Sequence, residues 1–292
     1  MGHLARCTAL ACALREQGFE VETLGLGAER ASELDGVRWE PWRPDEATTH
    51  QAPALLVLDT YDHDAWREVA ALEHGRLAAF ADALPSPSAA DVVIAPEGAS
   101  EATGRVLAGL RFACLRKPFW EIGPRLIEDS SLRAPRVLVT TGGGDLGGLA
   151  SRIATGLRER LPALALELVR GPGFAGKPPE GVEVLERPPS LLEPLLRADA
   201  VVCAGGQTML EAAATGAPAL VLEGAPNQRP QIARLTKLGA VLPVHEENVA
   251  DELERLLGSP PLRRDLSRRA QEAVDGHGAR RIAGELAAPE ER

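Results

Sequence analysis

Short apolar runs alternate with amphipathic stretches along almost the whole chain. Apolar runs of this length are typical of strands buried on both faces, and the stretches between them are typical of helices. The predicted strands are "ALLVLDTYD", "LAAFADAL", "ADVVIAPEG", "RVLVTTGGGD", "ALELVRG", "VEVLERPP", "ADAVVCAGG" and "PALVLEG", and the clearest helices are "LASRIATGLRERL", "LLEPLLRA" and "TMLEAAATG". This alternation predicts an α/β fold of parallel sheets with helices on both faces.

The N-terminal residues predict a helix followed by a strand. Apolar positions at helical spacing indicate an amphipathic helix over Leu4–Gln17, Gly18 ends it, and alternation over residues 19–24 indicates a strand. The pair Gly2-His3 leads straight into the helix. Such a pair usually follows a strand, at a turn where backbone amides meet an anion.

A polar stretch with two prolines, "WEIGPRLIEDSSLRAPRVLV", interrupts the alternation and predicts a domain boundary near Asp129–Ala134. We therefore expect an N-terminal domain over 1–129, a C-terminal domain over 134–275, and a C-terminal helix and tail over 276–292. Within "LRRDLSRRAQEAVDGHGARRIAGEL" a glycine-rich break separates two predicted helices. A ligand site is expected between two such domains.

Composition narrows the function classes. The 292 residues carry a formal net charge of −10, which argues against a general nucleic-acid binder. The four cysteines, Cys7, Cys12, Cys114 and Cys203, form no CxxC pair and are expected to be free thiols in a reducing compartment. No apolar run approaches the roughly 20 residues of a membrane span. A cytoplasmic enzyme or binding protein without membrane insertion is the expectation.

Two features of the sequence are similar to a phosphate-binding loop and to a metal site, but neither is predicted to bind. "GPGFAGKPPEG" fits the spacing of a phosphate-binding loop, but Pro178 follows Lys177 where a helix would have to begin. His63 and His74 fit no metal-ligand spacing, so no metal site is predicted. No nucleophile elbow is present, so acyl transfer has little support.

The strongest signal is "ADAVVCAGGQTMLEAAATGAPALVLEGAPNQ". A buried strand over Ala200–Ala204 runs into two glycines that open a helix, and this arrangement lets backbone amides approach an anion at the positive end of the helix dipole. Glu211 stands one turn in, where its carboxylate could accept hydrogen bonds from ribose hydroxyls. The alternative is a tight strand-helix turn with a surface glutamate. The candidate binding residues here are Gly205, Gly206, Gln207, Thr208, Glu211, Asn227 and Gln228.

This layout resembles the C-terminal half of GT-B nucleotide-sugar enzymes such as the peptidoglycan N-acetylglucosaminyltransferase. More narrowly, the chain resembles the UDP-2,4-diacetamido-2,4,6-trideoxy-beta-L-altropyranose hydrolase of pseudaminic acid biosynthesis and its spore-coat polysaccharide relatives. The matching pieces fall in order as "GHLARC", "LVLDTYD", "LRFACLRKPF", "VLVTTGGGD", "AGGQTMLEAAATGAP", "APNQ" and "DGHGARRIA". The resemblance implies two Rossmann-like doubly wound parallel-sheet domains facing a cleft. It also implies metal-independent, cofactor-free hydrolysis of a UDP-sugar to UDP and a free amino sugar.

The resemblance also implies roles for individual residues. His3 matches the family's Gly-His histidine and Tyr61 the tyrosine of its Asp-x-Tyr segment, and both are catalytic candidates together with Asp59, which could orient the turn or the water. At a helix N-terminus neutral imidazole is favoured and can take a proton from water. The alternatives are a structural histidine and a strand-end polar aspartate. The further substrate-binding candidates are Gly2, Arg6, Arg116, Gly143 and Gly144. Arg6 or Arg116 could meet the diphosphate, although each could equally be a surface arginine, and the last two glycines belong to a second glycine turn that faces the cleft.

Two other functions stay open. A GT-B glycosyltransferase would use a sugar hydroxyl in place of water, and the lack of a basic-apolar segment for a lipid acceptor favours hydrolysis. A UDP-sugar-binding protein without catalysis is the third possibility. It is motivated by two departures from the family, at Phe80-Ala81-Asp82 and at "VVIAPEG". The expected partner is a UDP-sugar, with no nucleic acid, and a monomer is expected.

In the family the Gly-His turn follows an N-terminal strand, whereas this sequence begins inside the turn. The N-terminal domain is therefore expected to lack its first strand, which is normally central in a doubly wound sheet. A longer chain with an apolar strand before Gly2 is expected to be more stable and more active than residues 1–292.

Overall fold

The computed structural model describes residues 2–25, 32–42, 52–81, 90–98, 104–127, 133–143, 147–171, 173–174 and 177–288. From His3 onward the chain divides into two compact units. The first comprises His3–Lys117 and His277–Arg292, and the second comprises Pro118–Gly276. The domain bounds expected from the sequence stay predictions.

The first unit contains two small sheets. One has the order β1-β3-β2 and the other is a parallel sheet with the order β4-β5-β6-β7. Their bounds are β1 Leu24–Gly25, β2 Ser32–Leu34, β3 Val37–Pro41, β4 Leu55–Leu58, β5 Arg76–Phe80, β6 Val92–Ala95 and β7 Arg105–Ala108. β2 and β3 form a hairpin whose turn residues, Asp35 and Gly36, both have positive φ. An Asp-Gly pair tolerates this conformation and fits the twist of the strands.

Helix α1, Gly2–Glu16, packs against the β2–β3 hairpin. The side chains of Ala11, Val37 and Trp39 form a small core there, and the indole N–H of Trp39 donates to the hydroxyl of buried Thr8 at 3.0 Å. The second half of α1 is buried on more than one side, so it is less amphipathic than the sequence predicts. The predicted strand over 19–24 is reduced to β1.

The first unit also holds helices α2, His63–Ala70, and α9, Gly278–Ala287. Asp62 caps α2 by accepting hydrogen bonds from the amides of its first turn. Helix α9 lies against the short 3-10 turn at Leu110–Phe112, and the Arg280 guanidinium pairs with the Glu16 carboxylate at 2.9 Å. The predicted helix, break and helix in the tail are confirmed.

The second unit is built on one parallel six-stranded sheet with the order β10-β9-β8-β11-β12-β13. The strands are β8 Arg136–Thr140, β9 Ala165–Arg170, β10 Glu183–Glu186, β11 Ala200–Ala204, β12 Ala219–Leu222 and β13 Leu242–Pro243. β11 and β12 are buried along their whole length, because the unit's helices pack against the sheet. These helices are α3 Leu149–Arg160, α4 Leu192–Arg197, α5 Gln207–Ala214, α6 Arg229–Lys237, α7 Val249–Leu257 and α8 Pro260–Ala273.

Strand order in this unit reverses between β8 and β11. The chain runs outward from β8 through β9 to β10, then returns and continues outward on the other side from β11 to β13. In open parallel sheets, ligands bind at the carboxyl ends of the strands where the order reverses. A ligand site in this unit is therefore expected at the turns after β8 and β11.

Within the described residues, every helix is too short or too polar to span a bilayer.

Candidate functional site

A buried carboxylate in the first unit contacts three side chains of helix α1. Asp59 directly follows β4, and its side chain is only 1% exposed. Its oxygens lie 2.5 Å from His3 Nδ1, 2.6 and 2.5 Å from Arg6 Nε and Nη2, and 3.2 Å from the thiol of Cys7. A carboxylate with this many donors is fixed in position and orientation.

The spacing on α1 explains the cluster. His3, Arg6 and Cys7 stand at positions i, i+3 and i+4, which share one helix face, so one acceptor reaches all three. His3, Arg6 and Asp59 are site residues predicted from the sequence, whereas Cys7 is expected from the sequence only to be a free thiol. The i+4 spacing from His3 is the signal that could have found it.

The charge state of Asp59 follows from its neighbours. Burial alone would raise the pKa of its carboxyl, but hydrogen bonds from Arg6 and His3 and the charge of Arg6 outweigh burial and hold that pKa well below its usual range. Burial, followed by the charge of Asp59, raises the pKa of the Cys7 thiol, and burial raises the pKa of Cys114 to about 12. Asp59 is therefore ionised at neutral pH and lies beside two thiols that stay protonated and unreactive.

The imidazole of His3 is held in one tautomer. Arg6 Nη2 also lies 3.3 Å from Nδ1, but Nδ1 cannot accept from Arg6 while it donates to Asp59. The shorter contact and the negative charge of Asp59 favour the Nδ1–H donor. Nε2 then carries the lone pair, on a side chain that is 32% exposed, and so can accept a proton. The ring of Tyr61 stands edge-on to it at 4.3 Å between centroids and is 48% exposed.

Substituting Asp59 tests the cluster as a source of stability. Because the folded-state pKa lies below the unfolded value, the carboxylate contributes fully above about pH 4 and loses its contribution as pH falls through the folded value. Asp59→Asn should lower the free energy of unfolding by roughly 3 kcal/mol at neutral pH, because it removes the buried counter-charge of Arg6. Urea unfolding of both proteins between pH 2.5 and 8 measures this difference, which should shrink below pH 4.

The matched control is Asp64→Asn, at an exposed carboxylate that pairs with Arg67 on α2. It should change stability little at any pH. A deficit in Asp59→Asn that persists undiminished at pH 2.5 would contradict the assignment of the effect to the ionised carboxylate.

The two arginines predicted to meet a diphosphate have protein partners in the first unit. The guanidinium of Arg6 is engaged by Asp59 and stacks on the ring of Phe80 at 4.3 Å. Arg116 is buried and lies 3.1 Å from the carboxylate of Asp35. Diphosphate binding by either arginine stays a prediction, and for Arg6 the geometry supports a positioning role toward Asp59.

In the second unit the glycine turns flank the point where strand order reverses. Gly142 and Gly143 follow β8, and the amide of Gly142 donates to the hydroxyl of Thr140 at 3.1 Å. A Cβ on Gly142, whose φ is +82°, would lie 3.7 Å from the hydroxyl of Thr208 on the neighbouring turn. The two turns therefore adjoin one another, while Gly144 lies outside the described residues.

The N-terminus of α5 has no side-chain cap. Gly206 is its N-cap residue, and no acidic side chain stands in the first turn. The positive end of the helix dipole and the amides of a first helical turn are suited to an anion such as a phosphate, and here the amide of Met209 also donates to the carbonyl of Gly206 at 3.1 Å. Gln207 and Thr208 open the helix as the sequence predicts.

Side chains after β12 close around the same turn. A Cβ on Gly205 would collide with the side chain of Ile232, and one on Gly206 would lie 3.4 Å from the amide nitrogen of Gln228. Gln228 accepts a hydrogen bond from the amide of Gly224 at 2.8 Å, which fixes its orientation. The structure thus brings Gln228 to the glycine turn, and Asn227 beside it in the chain is exposed.

Glu211 is 5% exposed, so it is not the surface glutamate of the alternative interpretation. Burial raises the pKa of Cys203 to about 12, and the nearby charge of Glu211 contributes to that shift. Glu211 thus lies beside β11, on the helix that starts at the glycine turn. Its role toward a ribose stays a prediction.

Among the residues that the structure describes, no three His, Cys, Asp or Glu side chains are placed to hold a metal ion together.

Comparison with known proteins adds the fold family. No protein-family model and no curated protein matches this chain. The spinosyn forosaminyltransferase SpnP is similar in structure, with 16% identity and a TM-score of 0.62 over 99% of this chain and 96% of its own. MurG of Acinetobacter baumannii has 15% identity and a TM-score of 0.59 over 98% and 96%.

A third similar structure is a Listeria monocytogenes protein assigned as a UDP-N-acetylglucosamine 2-epimerase. It has 15% identity and a TM-score of 0.59 over 96% of this chain and 92% of its own. At these identities the likeness shows the fold alone. The chain has the two-domain, Rossmann-like α/β fold of the GT-B class, and the fold class predicted from the sequence is confirmed.

Proposed function

We propose that this protein hydrolyses a UDP-activated amino sugar of the 2,4-diacetamido-trideoxyhexose type to UDP and the free sugar, in surface-polysaccharide or nonulosonic acid biosynthesis. The observation that carries the proposal is the contact between His3 Nδ1 and the buried carboxylate of Asp59. This contact leaves Nε2 as a proton acceptor on a partly exposed ring. Such a pair is suited to general-base catalysis, in which a bound water is the source of the proton.

In the proposed step, His3 Nε2 takes a proton from water as the water oxygen forms a bond to the anomeric carbon. The bond from that carbon to the diphosphate oxygen breaks, and its electron pair leaves with UDP. Asp59 touches no reacting atom and acts as a positioning residue, because it fixes the tautomer of His3 and stabilises the imidazolium that forms. Arg6 in turn holds Asp59 ionised.

The nucleotide part of the proposal rests on the second unit. The uncapped start of α5 and the two adjoining glycine turns offer backbone amides to a diphosphate at the sheet's reversal point. Glu211 lies one turn into α5 and is proposed to accept hydrogen bonds from ribose hydroxyls. The structurally similar Listeria monocytogenes protein is assigned as a UDP-N-acetylglucosamine 2-epimerase, and this assignment supports UDP as the nucleotide.

A glycosyltransferase is the second candidate, and the structural likeness to the forosaminyltransferase SpnP favours it. The same base would then take its proton from a sugar hydroxyl instead of water. A panel of UDP-sugars incubated with the purified protein separates the two. UDP released without an acceptor supports hydrolysis, and release only with an acceptor supports transfer. Binding without turnover under either condition would contradict both.

Substituting Glu211 tests the nucleotide site. Glu211→Ala should weaken UDP binding by about 1–3 kcal/mol, because buried ribose hydroxyls would lose their acceptor. Calorimetric titration with UDP measures this loss, and the melting temperature verifies the fold. The matched control is Glu223→Ala, at an exposed residue that pairs with Arg229. Equal UDP affinity in wild type and Glu211→Ala would remove Glu211 from the site.

A further inference from the structure

A pocket in the second unit lies at the opposite end of the sheet from the glycine turns. It has a volume of about 380 Å³ and adjoins the amino ends of β8 and β11, where Arg136 begins one strand and Asp199 precedes the other. Its described lining residues are Arg125, Leu126, Ile127, Arg133, Arg136, Leu196, Arg197, Asp199 and Arg263. This volume falls within the range typical of small-molecule sites, about 300–1,000 Å³.

Positive charge dominates this pocket. Five guanidinium groups line it against one carboxylate, that of Asp199, and a second carboxylate, Glu167, lies beneath it with 1% exposure. The lining side chains and Glu167 together thus carry three more positive than negative charges, and the carboxylates of Glu183 and Glu193 also act on Arg197 from nearby. The whole chain, by contrast, has a formal net charge of −10. Low-dielectric walls concentrate such a field and attract anions.

The existing contacts hold the arginines in place. Arg125 and Arg263 donate to backbone carbonyls, so they are anchored without being neutralised. Arg136 and Arg197 share the single carboxylate of Glu167 at 2.6 and 2.8 Å. Two guanidinium groups fixed around one acid lose little conformational entropy when a further oxyanion binds.

Three of the lining residues are apolar. They are Leu126, Ile127 and Leu196, of which Leu126 is 86% exposed and Leu196 is 40% exposed. Apolar side chains beside clustered guanidinium groups fit a ligand that carries phosphate on an apolar or partly apolar body.

We propose that this pocket binds the phosphate groups of a ligand distinct from the UDP-sugar, supplied either free in solution or as the headgroup of an anionic lipid. Guanidinium groups bind phosphate with paired, charge-assisted hydrogen bonds, and several of them together tolerate a doubly charged group. The site lies at the other end of the sheet from the proposed nucleotide site, so the two could be occupied at once.

The test uses the full chain with UDP present at saturation, so that diphosphate cannot enter the proposed nucleotide site. Inorganic diphosphate is the free probe and phosphatidylglycerol vesicles are the lipid probe. The double variant Arg133→Gln/Arg197→Gln should weaken diphosphate binding at least about tenfold. The control is Arg255→Gln/Arg268→Gln, which removes the same charge from two arginines of α7 and α8 that are 52% and 57% exposed and lie outside the pocket. Melting temperatures without ligand verify that all proteins are folded.

Leu126→Ser distinguishes the two sources of phosphate. If the ligand is a lipid, the wild-type protein should bind phosphatidylglycerol vesicles more tightly than phosphatidylcholine vesicles, and Leu126→Ser should weaken that binding. If the ligand is free in solution, Leu126→Ser should bind diphosphate as tightly as the wild-type protein does. Equal diphosphate affinity in the pocket variant and its control would overturn the proposal, as would no binding of either probe. UDP affinity is measured separately on the same proteins and should be equal in wild type, the pocket variant and its control, so the proposed function stands or fails on its own measurement.

Discussion

Replacing His3 by glutamine is expected to lower turnover of a UDP-sugar by ~10²–10⁴-fold, because glutamine cannot take a proton from water. Glutamine keeps a donor that can reach Asp59, so the buried carboxylate retains a partner and the fold should persist. UDP binding should be unchanged, because the residues proposed to hold UDP belong to the second unit and His3 to the first. Steady-state rates and a calorimetric UDP titration on the same preparation test both statements.

The control is His63→Gln. His63 is also a histidine in the first turn of a helix, α2, but it is exposed and stands outside the Asp59 cluster. Its turnover should equal that of wild type. Equal turnover of the His3 variant, with a melting temperature within the error of the wild-type value, would remove His3 from the chemistry. A parallel loss of UDP affinity would indicate instead that His3 binds substrate.

Local features of the fold could be predicted from the sequence because their signals are local. The buried strands β8, β11 and β12 read as continuous apolar runs, and the glycine turn before α5 was placed at the residues where it occurs. Other elements were missed although their signals were present. Asp35-Gly36 is the usual turn of a tight hairpin, and Asp62 is a typical N-cap for α2.

The environment of Asp59 could not be predicted in this way. Asp59 is separated from His3 by 56 positions in the chain, and their contact exists only because α1 packs beside the end of β4. A polar residue after a strand looks the same in sequence whether it is exposed or nearly fully buried. The arginine pocket was missed for a similar reason, since its side chains come from four separate segments of the second unit.

Substituting Gly278 with alanine is expected to destabilise the first unit by roughly 3 kcal/mol, because a Cβ at this position has no room. It would lie only 2.6 and 2.7 Å from the carbonyl carbon and amide nitrogen of Ala113, and closer still to its carbonyl oxygen. These are backbone atoms, so the clash cannot be relieved by a side-chain rotation. Gly278 begins α9, so relief requires the helix to move away from the residues that it covers.

The same helix offers the matched control. Gly284 lies inside α9 on its exposed side, and a Cβ there would meet nothing within 4 Å. Gly284→Ala should therefore raise stability by up to about 1 kcal/mol, because alanine is the better helix former. Thermal and urea unfolding of the two variants and wild type should give opposite shifts from the same chemical change. If Gly278→Ala unfolds at the wild-type midpoint, α9 cannot pack on Ala113 as closely as the structure shows.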